Sequence, residues 1–234
     1  MKKIHLIGGE KGGVGKSVVA RLLAQYFIDN SVQFVAFDTD LSHGALMRFY
    51  GDYSTPISVD EFSNIDQIIE TALEGDSDRI LVDLCAQSSS SLHKWIEDND
   101  ILELTKENGI MLVLWHVMDN SKDALDLLQK LLSGYGNAVR YVIVKNSFNG
   151  KDFTQYNNSE IRKQSEEFGA KTIEIKDLHK PTMRKVDHLS KSFWAAINHR
   201  PEKEVEALKL MERQRVKVWV KSAYQQFESL GDLL

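Results

Sequence analysis

The chain has one cysteine, Cys85, and three prolines, Pro56, Pro181 and Pro201, in 234 residues. A single thiol excludes an intrachain disulfide framework and any metal site built on paired cysteines, and it suits a reducing compartment. With so few prolines there is no Pro-rich linker, and no Gly/Ser-rich tract, internal repeat or low-complexity segment takes its place. No run approaches the roughly 18 apolar residues of a membrane span, and the first residues pass straight into an apolar run with no room for a signal peptide. A soluble, cytoplasmic protein is the expectation. The net charge of −5 excludes a chain that is basic all over, but not a local basic face.

What is present is ordinary apolar material in an alternating order. With 42% hydrophobic residues the chain can fill a core, and its length suits one α/β domain. Apolar runs at 2–8, 33–38, 79–84, 109–117, 140–146 and 171–176 are continuous rather than alternating, as strands buried on both faces should be. Helix-period segments lie between them, among them "SVVARLLAQYFIDN", "IDQIIETALEG", "SKDALDLLQKLLSGYG" and "SEIRKQSEEFG". The alternation predicts an α/β fold: a mostly parallel, twisted sheet with helices on both faces and right-handed crossovers. Residues 1–200 form the core of this single domain, and 201–234 break the pattern. That tail opens on Pro201 and glutamates, as a helix N-terminus does. Val205, Leu208, Met211, Val216, Trp219, Ala223, Phe227 and Leu230 fall mostly at steps of three or four. A long amphipathic helix follows, which packs back on the domain or serves a partner.

The densest signal is "GGEKGGVGKS" at 8–17, directly after the first strand. A glycine-rich turn between a strand and a helix lets backbone N–H groups wrap a phosphate chain at the helix N-terminus. Gly9 to Ser17 meets the P-loop pattern G-x-x-x-x-G-K-[ST] in full. Gly12, Gly13, Val14 and Gly15 then supply the cradle, Lys16 reaches the terminal phosphates, and Ser17 binds Mg2+.

Lys11 is a second lysine that one nucleotide does not need. With it, "KGGVGKS" resembles the deviant Walker A motif of the ParA/MinD family of ATPases, within the SIMIBI class of P-loop proteins. The family's early lysine crosses a dimer interface to the phosphates of the other subunit. The resemblance therefore implies an ATP-dependent homodimer with Lys16 acting in cis and Lys11 in trans, as an arginine finger does elsewhere. It also implies that Asp40 in "FDTD" positions or activates the attacking water while Asp38 supports the Mg2+ shell. Asp83, ending "RILVD", holds Mg2+ through water, and "CAQSSSSL" fills the place of a mobile switch loop, with Cys85 a small buried filler. Asn146, after "VIVK", would hydrogen-bond adenine, favouring ATP and ADP over GTP, because "KNSF" is not the N-K-x-D of guanine-specific proteins. The region around Pro181 would lie near the base. Where the family often has Pro-Gln after the second aspartate, this chain has "LSHGAL", which suggests a distant subfamily, of plasmid partition or mobilisation type.

The implied activity is slow, Mg2+-dependent ATP hydrolysis that resets a switch. An unidentified protein partner would stimulate it, and the setting would be DNA partition, mobilisation or the positioning of a cargo. The acidic end "QQFESLGDLL" speaks against a membrane anchor. "HKPTMRKVDHLSK" and "RQRVKVWVKSAY" are open either as solvated faces or as a surface for nonspecific DNA. The alternative from another class is a small-molecule ATP-dependent ligase or kinase of the dethiobiotin synthetase type, which would not need Lys11.

Overall fold

The computed structural model describes residues 1–200 and 207–234. Among them seven strands form one sheet: β1 (Lys3–Gly8), β2 (Phe34–Asp38), β3 (Ser54–Pro56), β4 (Arg79–Asp83), β5 (Met111–Met118), β6 (Arg140–Asn146) and β7 (Lys171–Ile175). Their order is β3-β2-β4-β1-β5-β6-β7, and every pairing is parallel. The helices are α1 (Lys16–Asp29), α2 (Ala45–Tyr50), α3 (Phe62–Glu74), α4 (Ser89–Asp98), α5 (Ile101–Glu107), α6 (Lys122–Tyr135), α7 (Thr154–Asn157), α8 (Glu160–Glu167), α9 (Lys180–Leu189), α10 (Phe193–Asn198) and α11 (Leu210–Glu228).

The continuous apolar strands have the reason expected of them: both faces of the sheet are covered. Ile4 and Leu6 of β1 point into one layer with Ile65, Ile68 and Ala72 of α3 and Leu128 and Leu132 of α6. Ile7, one pleat away, packs in the other layer with Val19, Leu22 and Leu23 of α1 and Phe227 of α11. Each buried Ile or Leu contributes about 1.5–3 kcal/mol, offset by the chain entropy lost in ordering it. Because all strands run the same way, their C-terminal ends meet at one edge. Gly8 pairs across to His116, and Asp38 stands beside Asp83 in register. The chain leaves β1 toward β2 on one side and takes up β5 on the other, so β1 marks the switch point where α/β sheets bind ligands.

Three details differ from the sequence pattern. The expected strands number six, and the seventh, β3, has three residues at the sheet edge, ending in Pro56. A segment so short carries no period, and its proline is tolerated there because an edge strand need not donate on both sides. The serine run read as a mobile loop becomes the first turn of α4, since Leu92, Trp95 and Ile96 form a buried stripe behind it. The tail helix begins at Leu210, while its expected start at Pro201 and the position Val205 lie outside the described residues. Met211, expected on its apolar face, is exposed: Val216 follows five residues later, about 140° round the helix.

From Val216 onward α11 packs back on the domain. Phe227 meets Trp115 and Tyr26 edge-on, Trp219 meets Phe193, and the Tyr224 hydroxyl donates to Asp29. The Gln226 side chain accepts from the backbone N–H of Glu174 at 2.9 Å, so α11 also covers the β7 edge. Among the described residues no helix is long and apolar enough to cross a membrane.

His5, on β1 under α1, is fully buried and accepts from the Trp115 indole at 3.2 Å through Nδ1, while Nε2 has no partner. Burial, then the charges of Arg79 and Lys3, push its pKa down to about 3. The unfolded chain therefore takes up this proton first, near pH 6.5, and stability from His5 is lost as pH falls from there toward 3. The slope is on the order of 1.4 kcal/mol per pH unit. Urea unfolding at pH 7, 6 and 5 should show a smaller acid loss in His5→Asn than in the unsubstituted protein, whereas equal slopes would contradict it.

Candidate functional site

β1 ends at Gly8 and α1 begins at Lys16, and the loop between them has a backbone that only glycine permits at two points. Gly9 has φ +139, and a Cβ there would stand 2.8 Å from the Val117 carbonyl. Gly15 has φ +96, and its Cβ would stand 2.2 Å from Asn146 Nδ2. Val14 is a buried anchor, and its carbonyl accepts from that Asn146 amide at 2.7 Å. A cavity of about 360 Å³ opens over the loop. Gly12, Gly13, Gly15, Lys16 and Ser17 line it together with Asp40, Asp83 and Asn146, while Lys176, Asp177, Leu178, Met183 and Trp219 line it from β7 onward. The Lys16 ammonium turns back to the Lys11 carbonyl at 3.1 Å, and burial lowers its pKa against the attraction of Asp83.

The carboxylates differ sharply in their surroundings. Asp83 is buried, with one oxygen, Oδ1, lacking any partner. Burial and then the neighbouring Asp38 push its pKa up to about 7, against the Ser17 hydroxyl and Lys16. Asp38 is buried too, and spends its oxygens on the backbone N–H groups of Asp40, Leu46 and Met47, capping α2. Burial raises its pKa in spite of those bonds. Asp40 accepts from Ser42 and the His43 backbone, and these hold its carboxyl below the usual range although burial opposes them. The histidine of "LSHGAL" is exposed, and its backbone N–H donates to Asp40. A hydroxyl beside a buried carboxylate with a free oxygen fits a hard divalent cation such as Mg2+, which takes few protein ligands and keeps its waters. Among the described residues no group of three or more His, Cys, Asp or Glu is arranged to hold a metal ion by itself.

Lys11 stands apart from the cavity lining. Its ammonium is held at 2.8 Å by Asp119, just past β5, and at 2.9 Å by the Ser121 hydroxyl at the start of α6. Against burial, the hydrogen bonds from Lys11 and Ser121 hold the Asp119 carboxyl below its usual range. Asp119 escaped the sequence reading, although it ends an apolar run as Asp38 and Asp83 do. Glu10, also unremarked there, accepts from the Ser89 N–H at 3.0 Å and ties the loop to α4. Asn146 is brought to the cavity as expected, but its amide serves the loop, and its oxygen takes the Phe148 N–H at 3.3 Å. Cys85 is half-buried rather than a core filler, and it lines the cavity.

A glycine-built loop opening a helix at the switch point of a parallel sheet, with a lysine and an acidic pair at its mouth, is the arrangement of P-loop nucleotide-binding proteins. Within that class the chain has the fold of MinD and resembles the ParA/MinD type. The MinD cell division protein of Aquifex aeolicus superposes with a TM-score of 0.52 at 12% identity over 97% of both chains. A nucleotide-binding protein of Archaeoglobus fulgidus in complex with ADP gives 0.54 at 15% identity, over 80% of this chain and 86% of its own. In sequence, protein MobD of Acidithiobacillus ferrooxidans is 26% identical over 182 residues, 76% of this chain and 78% of MobD. No protein-family model matches the chain.

The Asp83 carboxyl carries a pH signature. Its folded pKa of about 7 lies above the unfolded value of 3.8, so ionising it costs stability as pH rises from about 4 to 7, and the cost levels off above that. Without nucleotide or metal, Asp83→Asn should unfold at higher urea than the unsubstituted protein at pH 8. The gain should shrink toward zero at pH 4 to 5, and a gain independent of pH would contradict this.

Proposed function

We propose that the chain is a nucleotide-driven dimerisation switch of the ParA/MinD type. Two copies close on bound ATP, a partner reads the closed state, and slow Mg2+-dependent hydrolysis to ADP and phosphate resets it. The observation that carries this reading is the separation of the two loop lysines: Lys16 lies in the cavity, while Lys11 is clasped outside its lining by Asp119 and Ser121. One nucleotide in its own loop has no use for a lysine kept there, and the nucleotide of a second copy does. The complex of the Archaeoglobus fulgidus protein with ADP supports a nucleotide as the ligand of this chain.

The residues divide the work. Gly12, Gly13 and Gly15 turn backbone N–H groups toward the phosphates, Lys16 offsets their charge, and Val14 anchors the cradle from below. Ser17 and Asp83 hold Mg2+, with Asp38 behind them; when bound, the ion supplies positive charge to the phosphate oxygens. A carboxylate held at low pKa is a weak base, so Asp40 orients the attacking water more than it deprotonates it. Lys11 leaves Asp119 on dimerisation and stabilises charge developing at the transferred phosphoryl of the other copy. Asn146 is assigned to fastening the loop beneath the nucleotide rather than to adenine. The setting we favour is DNA partition or mobilisation, or the positioning of another cargo, with a protein partner that stimulates hydrolysis. Arg215, Lys217 and Lys221, exposed on α11, support nonspecific DNA as a second partner, separate from that protein.

A second reading, an ATP-dependent small-molecule kinase or ligase, is favoured by one observation. A mainly apolar cleft of about 330 Å³ lies behind Gly8–Glu10, walled by α4 and α6. Light scattering separates the two. Asp40→Ala protein should be monomeric alone and dimeric with Mg·ATP, and adding Lys11→Ala should abolish the dimer while ATP still binds. A protein that stays monomeric with ATP bound contradicts the switch and moves the small-molecule enzyme forward.

A further inference from the structure

β2 and β4 run side by side in register as far as Asp38 and Asp83. Beyond that point they part, β2 toward Asp40 and α2, β4 toward Cys85 and α4. One side chain spans the parting. Thr39 is buried, and its backbone N–H and its hydroxyl both donate to the Asp83 carbonyl, at 3.0 and 3.1 Å. The same hydroxyl accepts from the Cys85 backbone N–H at 2.8 Å. A threonine hydroxyl has one hydrogen to give and lone pairs to receive, so both bonds are made at once. On the other flank of β4 the Leu84 N–H donates to the Ile7 carbonyl at 3.0 Å and continues the pairing with β1. Toward β2 the next N–H, that of Cys85, goes to a side chain where a continued ladder would offer a carbonyl.

We propose that Thr39 is a positioning residue, whose hydroxyl staples the turn carrying Asp40 to the end of β4. It thereby fixes where a Mg2+ held by Asp83 stands relative to a water held by Asp40. The inference rests on the reading of the site as a nucleotide hydrolase. The hydroxyl grips two successive peptide groups, the one that follows Asp83 and the one that enters Cys85, so the backbone just past the carboxylate cannot pivot. On its own strand Thr39 leads directly into Asp40, whose N–H is held by Asp38 Oδ1 at 3.1 Å. Mg2+ demands near-ideal octahedral geometry, and small misplacements of reacting groups are costly in rate. Valine has nearly the shape of threonine without the hydroxyl, so Thr39→Val takes away the staple and leaves the packing. Thr39→Ser keeps the hydroxyl and gives up only the methyl group.

The full chain is tested by three measurements: calorimetric titration with metal-free ADP, titration of Mg2+ into the protein–ADP complex, and ATP turnover at saturating ATP and Mg2+. Thr39→Val should bind metal-free ADP as the unsubstituted protein does, because the loop and Lys16 are untouched. Its complex should bind Mg2+ about tenfold more weakly, and its turnover should fall about tenfold. Thr39→Ser should restore both. Mg2+ affinity and turnover unchanged in Thr39→Val overturn the proposal. Loss of metal-free ADP binding in Thr39→Val overturns it too, since Thr39 would then be a general support of the fold. A Thr39→Ser protein as impaired as Thr39→Val overturns it by assigning the effect to the methyl group. An unsubstituted protein that binds no ADP or hydrolyses no ATP overturns the nucleotide reading itself, which keeps that failure apart from failure of the staple.

Discussion

A loop that offers its N–H groups to an anion must be held in shape without being filled, and in this chain one amide does much of the holding. Asn146 reaches from the end of β6 under the loop and donates to the Val14 carbonyl, so close beneath Gly15 that no other residue fits there. Val14 is sunk in the core, and Gly15 leads at once into α1, whose first residue is Lys16. Each of these depends on the parallel sheet, since only strands running one way deliver the ends of β1 and β6 to the same edge. The apolar layers that fix the sheet therefore also fix the cradle.

The charges around the cradle are arranged with little slack. Lys16 is almost buried, and Asp38 and Asp83 stand side by side in register behind it. Burying carboxylates together is unfavourable unless they are paired, hydrogen-bonded or protonated. The two aspartates differ: Asp38 takes backbone N–H groups, while burial pushes the Asp83 pKa up to about 7 and leaves one of its oxygens without a partner. A cation and an anionic ligand would each relieve part of this stress. Lys11 is balanced by Asp119 at a separate place, and it has to give up that partner before it can serve anything else.

The phosphate end was legible in the sequence because its residues are consecutive. From Gly9 to Ser17 the pattern is local, and the structure places Gly12, Gly13, Gly15, Lys16 and Ser17 on one cavity. Asp38 and Asp83 stand out for a related reason: each stands at the end of an apolar run, and parallel strands bring such ends together. What the sequence hid depends on contacts between distant positions. Asp119 meets Lys11 across 108 positions, and Asn146 meets Val14 across 132. The family resemblance suggests adenine for Asn146, but a resemblance does not show that the loop takes an N–H of this amide. The helix start within the serine run was hidden because the buried stripe that makes α4 lies beyond it, in Leu92, Trp95 and Ile96.

The central claim is that Lys11 acts on the nucleotide of a second copy. Mixing two inactive variants tests it most directly: Lys11→Ala keeps Asp40, and Asp40→Ala keeps Lys11. In a mixed dimer the Lys11→Ala subunit holds a site with its own Asp40 and receives Lys11 from its partner. The account predicts that the mixture hydrolyses ATP while neither variant does so alone. A mixture as inactive as its parents would contradict it.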